Sequence, residues 1–337
     1  MSLLSALLCR TACWDHRYCR HVPVPGTLLP QLSIQVPNFA QSPESWQPTI
    51  ELAKLADVAG VDRIAVSDHI LYGEQLDAYA DPSTGGTLGG KQPTDADGHW
   101  LEPLTLLSLL AGITTNVRLG TGILLAALRP AALLAKQAAT LDVLSGGRLD
   151  LGVGVGWQRE EYESLGLAFE RRGALLDRCL TVCQKLWAEQ VVNFDDGHLR
   201  LNRVHQMPKP LQPNGVPVWV SGRAIPTTIR RVVQFGSGWI PWGDDIGDPR
   251  PGIERIRAAL EEAGRDPLAL QVQGTLPIVR NGAGVNVEAT VAGAGPLVDA
   301  GVTDFRVYHR WTADPVVDRD LLAALVPAFR DAVGRGK

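Results

Sequence analysis

The chain has 337 residues, 45% of them hydrophobic and 20% charged, the balance of a folded protein with a sizeable core and not of a disordered one. Its net charge of −4 supplies no positive field for nucleic acid or for an anionic membrane, so small molecules are the expected partners. Charges or glycines interrupt every apolar run short of a membrane span.

Residues 1–30 differ in texture from the rest and read as a flexible extension, leaving one domain over residues 31–335. Cys9, Cys13, His16, Cys19 and His21 are metal-binding residue types, but their spacing fits none of the usual zinc patterns, and no metal is expected. The run from Leu3 to Leu8 is too short for a secretory core and has no basic segment before it. Cys179 and Cys183 lie on a helical stripe with Leu176, Leu180 and Trp187 and read as buried thiols. A chain without a disulfide framework fits a reducing cytoplasm.

From Gln31 onward, short apolar strands alternate with amphipathic helices. The expected strands are Gln31 to Pro37, Arg63 to Ser67, Val117 to Leu124, Arg148 to Gly154, Val216 to Ser221, Gly238 to Pro241, Leu270 to Ile278 and Asp304 to His309. Stripes such as Leu52, Leu55, Ala56 and Ala59, or Ala131, Leu134, Ala135, Ala138 and Leu141, mark helices between them. Eight such units predict an α/β fold of the (β/α)8 TIM-barrel type, in preference to an open doubly wound sheet. Two insertions interrupt the pattern, after strands two and four. The first, about Tyr72 to Leu101, is a lid over the C-terminal rim; the second, about Gln190 to Pro217, contains Asp196-Gly197 between apolar flanks and predicts a β-hairpin.

The strand tips carry the chemistry. Asp68 and His69 end strand two, where an imidazole can exchange a proton near neutral pH or simply bond nearby backbone. Gly122 ends strand three, marking either a close backbone approach to a ligand or tight packing. Strand four ends in Gly152-Val-Gly154-Val-Gly156-Trp157, which lacks the spacing of a dinucleotide loop but leaves side-chain-free edges for a flat ring, with Trp157 as a wall or a core residue. After strand five, Ser221, Gly222 and Arg223 precede a helix starting near Pro226, an arrangement suited to a phosphate or to ordinary capping. Trp242 adds an aromatic wall beyond strand six. With no G-x-S-x-G elbow and no P-loop lysine, hydrolase and kinase readings lose support.

Together these motifs resemble the luciferase-like monooxygenase superfamily, especially its branch that uses the deazaflavin coenzyme F420. The most specific stretch is Arg118-Leu-Gly-Thr-Gly122, Ser145-Gly-Gly-Arg148 and Gly152-Val-Gly-Val-Gly-Trp157 with Glu160-Glu161-Tyr162; Arg172-Gly173, Pro208-Lys209-Pro210 and Trp219-Val-Ser-Gly222 extend it. The resemblance implies that Asp68 and His69 sit beside the ring, with His69 the proton-transfer residue. It implies a non-proline cis peptide at Gly122-Ile123, a cofactor channel lined by Val155, Gly156 and Glu160, and a phosphate held by Ser221, Gly222, Arg223 and Ala224. Tyr72, Trp157 and Trp242 are the expected substrate-pocket residues. Trp157 stands where deazaflavin-dependent sugar phosphate dehydrogenases carry a catalytic carboxylate, which argues against that activity. The resemblance therefore implies hydride transfer between F420 and a small organic substrate; the alternatives are an FMN-dependent monooxygenase using reduced flavin and oxygen, or a flavin carrier without turnover. A homodimer through helices two and three is also expected.

Overall fold

The computed structural model describes residues 28–335 except 84, 283 and 313, so the expected N-terminal extension with Cys9, Cys13, His16, Cys19 and His21 lies outside the described residues. Eight parallel strands close into a barrel: β1 (Gln31–Gln35), β2 (Arg63–Val66), β3 (Arg118–Thr121), β4 (Leu149–Val153), β5 (Val218–Ser221), β6 (Gly238–Ile240), β7 (Gln271–Thr275) and β8 (Asp304–Val307), with β8 pairing back onto β1. Around it run α1 (Gln47–Ala59), α2 (Pro103–Ile113), α3 (Ala131–Leu144), α4 (Arg172–Ala188), α5 (Pro226–Phe235), α6 (Arg250–Glu262), a broken pair (Val287–Ala292 and Ala294–Ala300) and α7 (Pro315–Ala332). The expected (β/α)8 barrel is therefore present. No helix among the described residues is long and apolar enough to cross a membrane.

Ionic bonds fill one end of the barrel interior. Arg63 of β2 donates to Asp150 of β4 and to Asp304 of β8, Arg118 of β3 grips Asp150 at 2.6 and 2.7 Å, and Arg306 Nε donates to Ser33 at 2.6 Å. Burial pushes the Asp150 carboxyl up, but Arg118 and Arg63 outweigh it and hold it below the ordinary carboxylate range. Arg63, Arg118, Asp150 and Asp304 sit at the strand starts, so this end of the barrel holds the fold together and the other end is free for chemistry. Arg148, part of the Ser-Gly-Gly-Arg motif, is a packing residue. Its guanidinium donates to the carbonyls of Ala111, Thr114 and Val117 and ties the end of α2 to β3.

The second insertion follows α4, not the tip of β4. Its hairpin, Val192–Asp195 with Arg200–Val204, runs back along the outside of α4, where Asp196 pairs with Arg178 and His198 meets Arg171 at 3.4 Å. It contributes nothing to the cavity described below. Lys209 caps the end of α4 through the carbonyls of Leu186 and Glu189, and Cys179 and Cys183 are buried beneath α3 and its preceding loop.

Candidate active site

A cavity of about 500 Å³ opens at the C-terminal ends of the strands. One edge is made of backbone. Gly122, Gly154 and Gly156 line it, and a side chain would crowd its neighbours: a Cβ on Gly154 would lie 2.1 Å from Ile123 Cδ1, and one on Gly156, where φ is +70°, 2.8 Å from Leu125 Cδ2. The Gly122-Ile123 peptide is cis, as the resemblance implied.

Another part of the lining is aromatic. His69, at the tip of β2, stacks on Tyr72 with ring centres 4.5 Å apart and meets Trp100 edge-on at 4.8 Å and Trp157 at 6.0 Å. The first insertion covers the cavity as expected of a lid, lending Tyr79, Gly85, Gln92 and Pro93 to its lining. Its end is fixed by the antiparallel pair Phe39–Ala40 and His99–Trp100 and by Asn38, whose Nδ2 donates to the carbonyls of Ser67 and Leu101. Its middle is latched by Trp242, whose Nε1–H points at the carbonyls of Gly85 and Gly86 at 3.0 and 3.2 Å.

The loop carrying His69 has almost no regular backbone pairing and is held by side chains. Gln158 accepts from Gly73 N at 2.7 Å and donates to Leu71 O at 2.9 Å, and Glu161 Oε1 accepts from Ile70 N at 2.8 Å. The same Oε1 lies 3.3 Å from His69 Nδ1. Burial first, and then the Glu161 carboxylate, raise the Tyr72 hydroxyl above the ordinary phenol range, so it stays a neutral donor to Gln92 at 2.8 Å.

Asp68 reaches the cavity, but its carboxylate is engaged: Oδ2 accepts from Leu125 N at 2.8 Å and from Arg129 at 2.5 Å, while Oδ1 accepts from Arg129 at 3.1 Å. Arg129 also binds Glu102 at 2.8 Å, the N-cap of α2. Asp68 thus fixes the course of the chain after β3, directly beyond the Gly122-Ile123 peptide.

Of the residues predicted from sequence, Asp68, His69, Gly122, Ile123, Val155, Gly156, Trp157, Ser221, Gly222 and Trp242 all line this one cavity. Tyr72, Glu160, Arg223 and Ala224 are not among the lining residues. Tyr72 backs His69, and Glu160 packs beside Gly73. Arg223 is exposed, and the Ala224 N–H is bonded to the Asp245 carboxylate at 2.6 Å. Sequence reasoning missed the importance of Glu161, Trp100, Tyr79, Gln273 and Tyr308. Only Glu161 lay within a motif already singled out.

These features fit the ring of a flavin or deazaflavin: a side-chain-free edge and aromatic side chains line one cavity, whose volume is within the usual range of ~300–1,000 Å³ for ligand sites. The phosphate end fits less directly, because Asp245 already accepts from Ala224 and a bound phosphate must exchange with it or rely on Ser221 and Gly222.

Residues 31–283 match the family model described as luciferase-like monooxygenase. An uncharacterised protein of Mycobacterium tuberculosis is 30% identical over 278 residues, covering 81% of this chain and 88% of that protein. Among solved structures, monooxygenase RslO1 from Streptomyces bottropensis superposes with a TM-score of 0.69 at 19% identity, over 88% of this chain and 98% of that one. An F420-dependent secondary alcohol dehydrogenase in complex with an F420-acetone adduct gives 0.69 at 16% identity, over 90% of this chain and 100% of that one. At such identities the structural matches speak to the barrel alone, whereas the family model spans most of the chain: this protein belongs to the luciferase-like monooxygenase family of oxidoreductases.

Proposed function

We propose that the protein uses coenzyme F420 to transfer hydride to or from an uncharged small organic substrate, with His69 moving the accompanying proton. The observation that carries this reading is the direction of the imidazole: Nδ1 faces Glu161, leaving Nε2 for the cavity that His69 lines together with Gly122, Gly154 and Gly156. When bound, the cofactor supplies the hydride-carrying carbon. The chain's own residues would orient and shield it: Gly122, Ile123, Val155 and Gly156 would border the ring, Asp68 holds the supporting loop, and Glu160 would act from beside Gly73, behind the lining. Ser221 and Gly222 at the cavity edge would receive the phosphate, joined by Arg223 and by the Ala224 N–H once it exchanges its bond to Asp245.

Among the described residues no lysine or arginine lines the cavity, and the one carboxylate that does, that of Asp68, is paired with Arg129. A carboxylate or phosphate on the substrate would be desolvated there without a partner, which supports an uncharged alcohol or carbonyl compound held against Trp100, Trp157 and Trp242. The lid latched by Trp242 supports a second reading, an FMN-dependent monooxygenase, because oxygen chemistry on reduced flavin needs a dry site.

Anaerobic titration with F420, FMN and their reduced forms, followed by absorbance and tryptophan fluorescence, separates the two. Saturable binding of F420 in preference to FMN is expected; preference for reduced FMN establishes the monooxygenase reading, and binding of none removes both. In His69→Ala, kcat is expected to fall by ~10²–10⁴-fold with cofactor binding and thermal unfolding unchanged.

A further inference from the structure

Glu161 is a buried carboxylate to which the scheme above gives no role. Its side chain is 0% exposed, and His69 is its ion-pair partner among the described residues. Oε1 serves Ile70 N and His69 Nδ1, while Oε2 is buried and makes no hydrogen bond. Leaving one oxygen of an ionised carboxylate buried without a donor is costly unless a positive charge arises nearby. The rings around the imidazole, those of Tyr72, Trp100 and Trp157, are uncharged, so His69 is the group among them on which such a charge can arise. An ionised carboxylate only accepts, so Nδ1 must be the protonated nitrogen, and Nε2 presents a lone pair to the cavity.

We propose that Glu161 is a positioning residue for the reaction: it fixes the Nδ1–H tautomer of His69 and balances the imidazolium that forms when Nε2 takes a proton. The proposal rests on the functional reading above. In the oxidising direction, the substrate O–H bond breaks and its proton forms a new bond to Nε2. The carbon-bound hydrogen leaves with its electron pair to the oxidised deazaflavin, and the C–O bond becomes C=O. Reduction reverses each transfer, with Nε2 returning its proton to the oxygen. The simpler role for Glu161 is to tether Ile70, as Gln158 tethers Leu71 and Gly73.

Long-range ¹H–¹⁵N correlation of the histidine rings in ligand-free protein, at a pH where His69 is neutral, separates these roles. The Nδ1–H tautomer is expected in the wild type and in Glu161→Gln, whose amide oxygen can still accept both bonds, and a mixture of tautomers in Glu161→Ala. Gln158→Ala should loosen the loop without changing the tautomer. In Glu161→Gln, kcat should fall ~10-fold or more with KM unchanged, because the geometry is kept and the charge is lost.

A dominant Nε2–H tautomer in the wild type overturns the proposal, as does an equal disturbance by Gln158→Ala or an unchanged kcat in Glu161→Gln. If Glu161→Ala fails to fold, the wild-type and Glu161→Gln spectra still decide. Because the tautomer is read without cofactor or substrate, failure of the F420 assignment would leave it standing, and the two claims can fail separately.

Discussion

Gly152 has no room for a side chain, since a Cβ there would sit 2.1 Å from the Thr121 carbonyl oxygen on the neighbouring strand. Backbone cannot swing aside as a side-chain tip can, so Gly152→Ala should destabilise the fold by about 1–3 kcal/mol, read by denaturant titration. Gly112, in α2 with nothing within 4 Å of its Cβ position, is the contrast: Gly112→Ala should stabilise by about 0.5–1 kcal/mol. At this scale the sequence was only half legible. The tip residues His69 and Gly122 could be placed because strand ends can be counted. The fate of the Asp68 carboxylate could not be, because Arg129 lies far along the chain and only the folded barrel brings them together. Likewise Glu160 and Glu161 are equivalent in a string of letters. They lie in a helix of only five residues, too short for periodicity to say which one turns inward.

The lid is an element held by few bonds, and Trp242, beyond β6, supplies a shared one to the carbonyls of Gly85 and Gly86. Trp242→Phe keeps the ring but removes the donor. The lid should then open more often, seen as faster proteolysis within residues 81–98 and a KM raised several-fold at nearly unchanged melting temperature. The eight barrel strands were legible as apolar, β-branched segments between helical stripes, though drawn too long: Val117 to Leu124 shrinks to Arg118–Thr121 because the regular ladder is interrupted after Thr121, with Leu124 still bridging to Val153. The hairpin was legible from Asp196-Gly197. The pair Phe39–Ala40 with His99–Trp100 was not, because two-residue strands have no periodicity and are specified only by the partner they meet.

Across the whole molecule, stability should show an acid edge set by the ionic end of the barrel. Asp150 titrates lower in the folded chain than the ~3.9 of an unfolded aspartate, so its contribution is complete above that value. It is lost as pH falls through the lower folded-state value. Melting temperature should therefore decline below about pH 4. Asp150→Asn, which leaves buried Arg63 short of a counter-charge, should cost roughly 3–5 kcal/mol at neutral pH and weaken that acid dependence. We also propose a homodimer through α2 and α3, supported by Leu109 and Ile113 one turn apart and by Leu133, all exposed. Sedimentation should show a dimer, and a monomer at all working concentrations would remove this proposal.

The ion pairs of Asp150 also act as a ruler. Arg118 and Asp150 lock β3 against β4 in the register that sets Gly120 opposite Asp150, and the same strand runs on to Gly154 at the cavity edge. That is four residues, or ~13 Å, of stiff extended chain. A slip of one residue at the charged end would turn every side chain of β4 to the opposite face and put Val153 or Val155 where Gly154 clears the cavity. The accuracy of the cavity's glycine edge is thus set at the far end of the barrel, by residues that never meet a ligand.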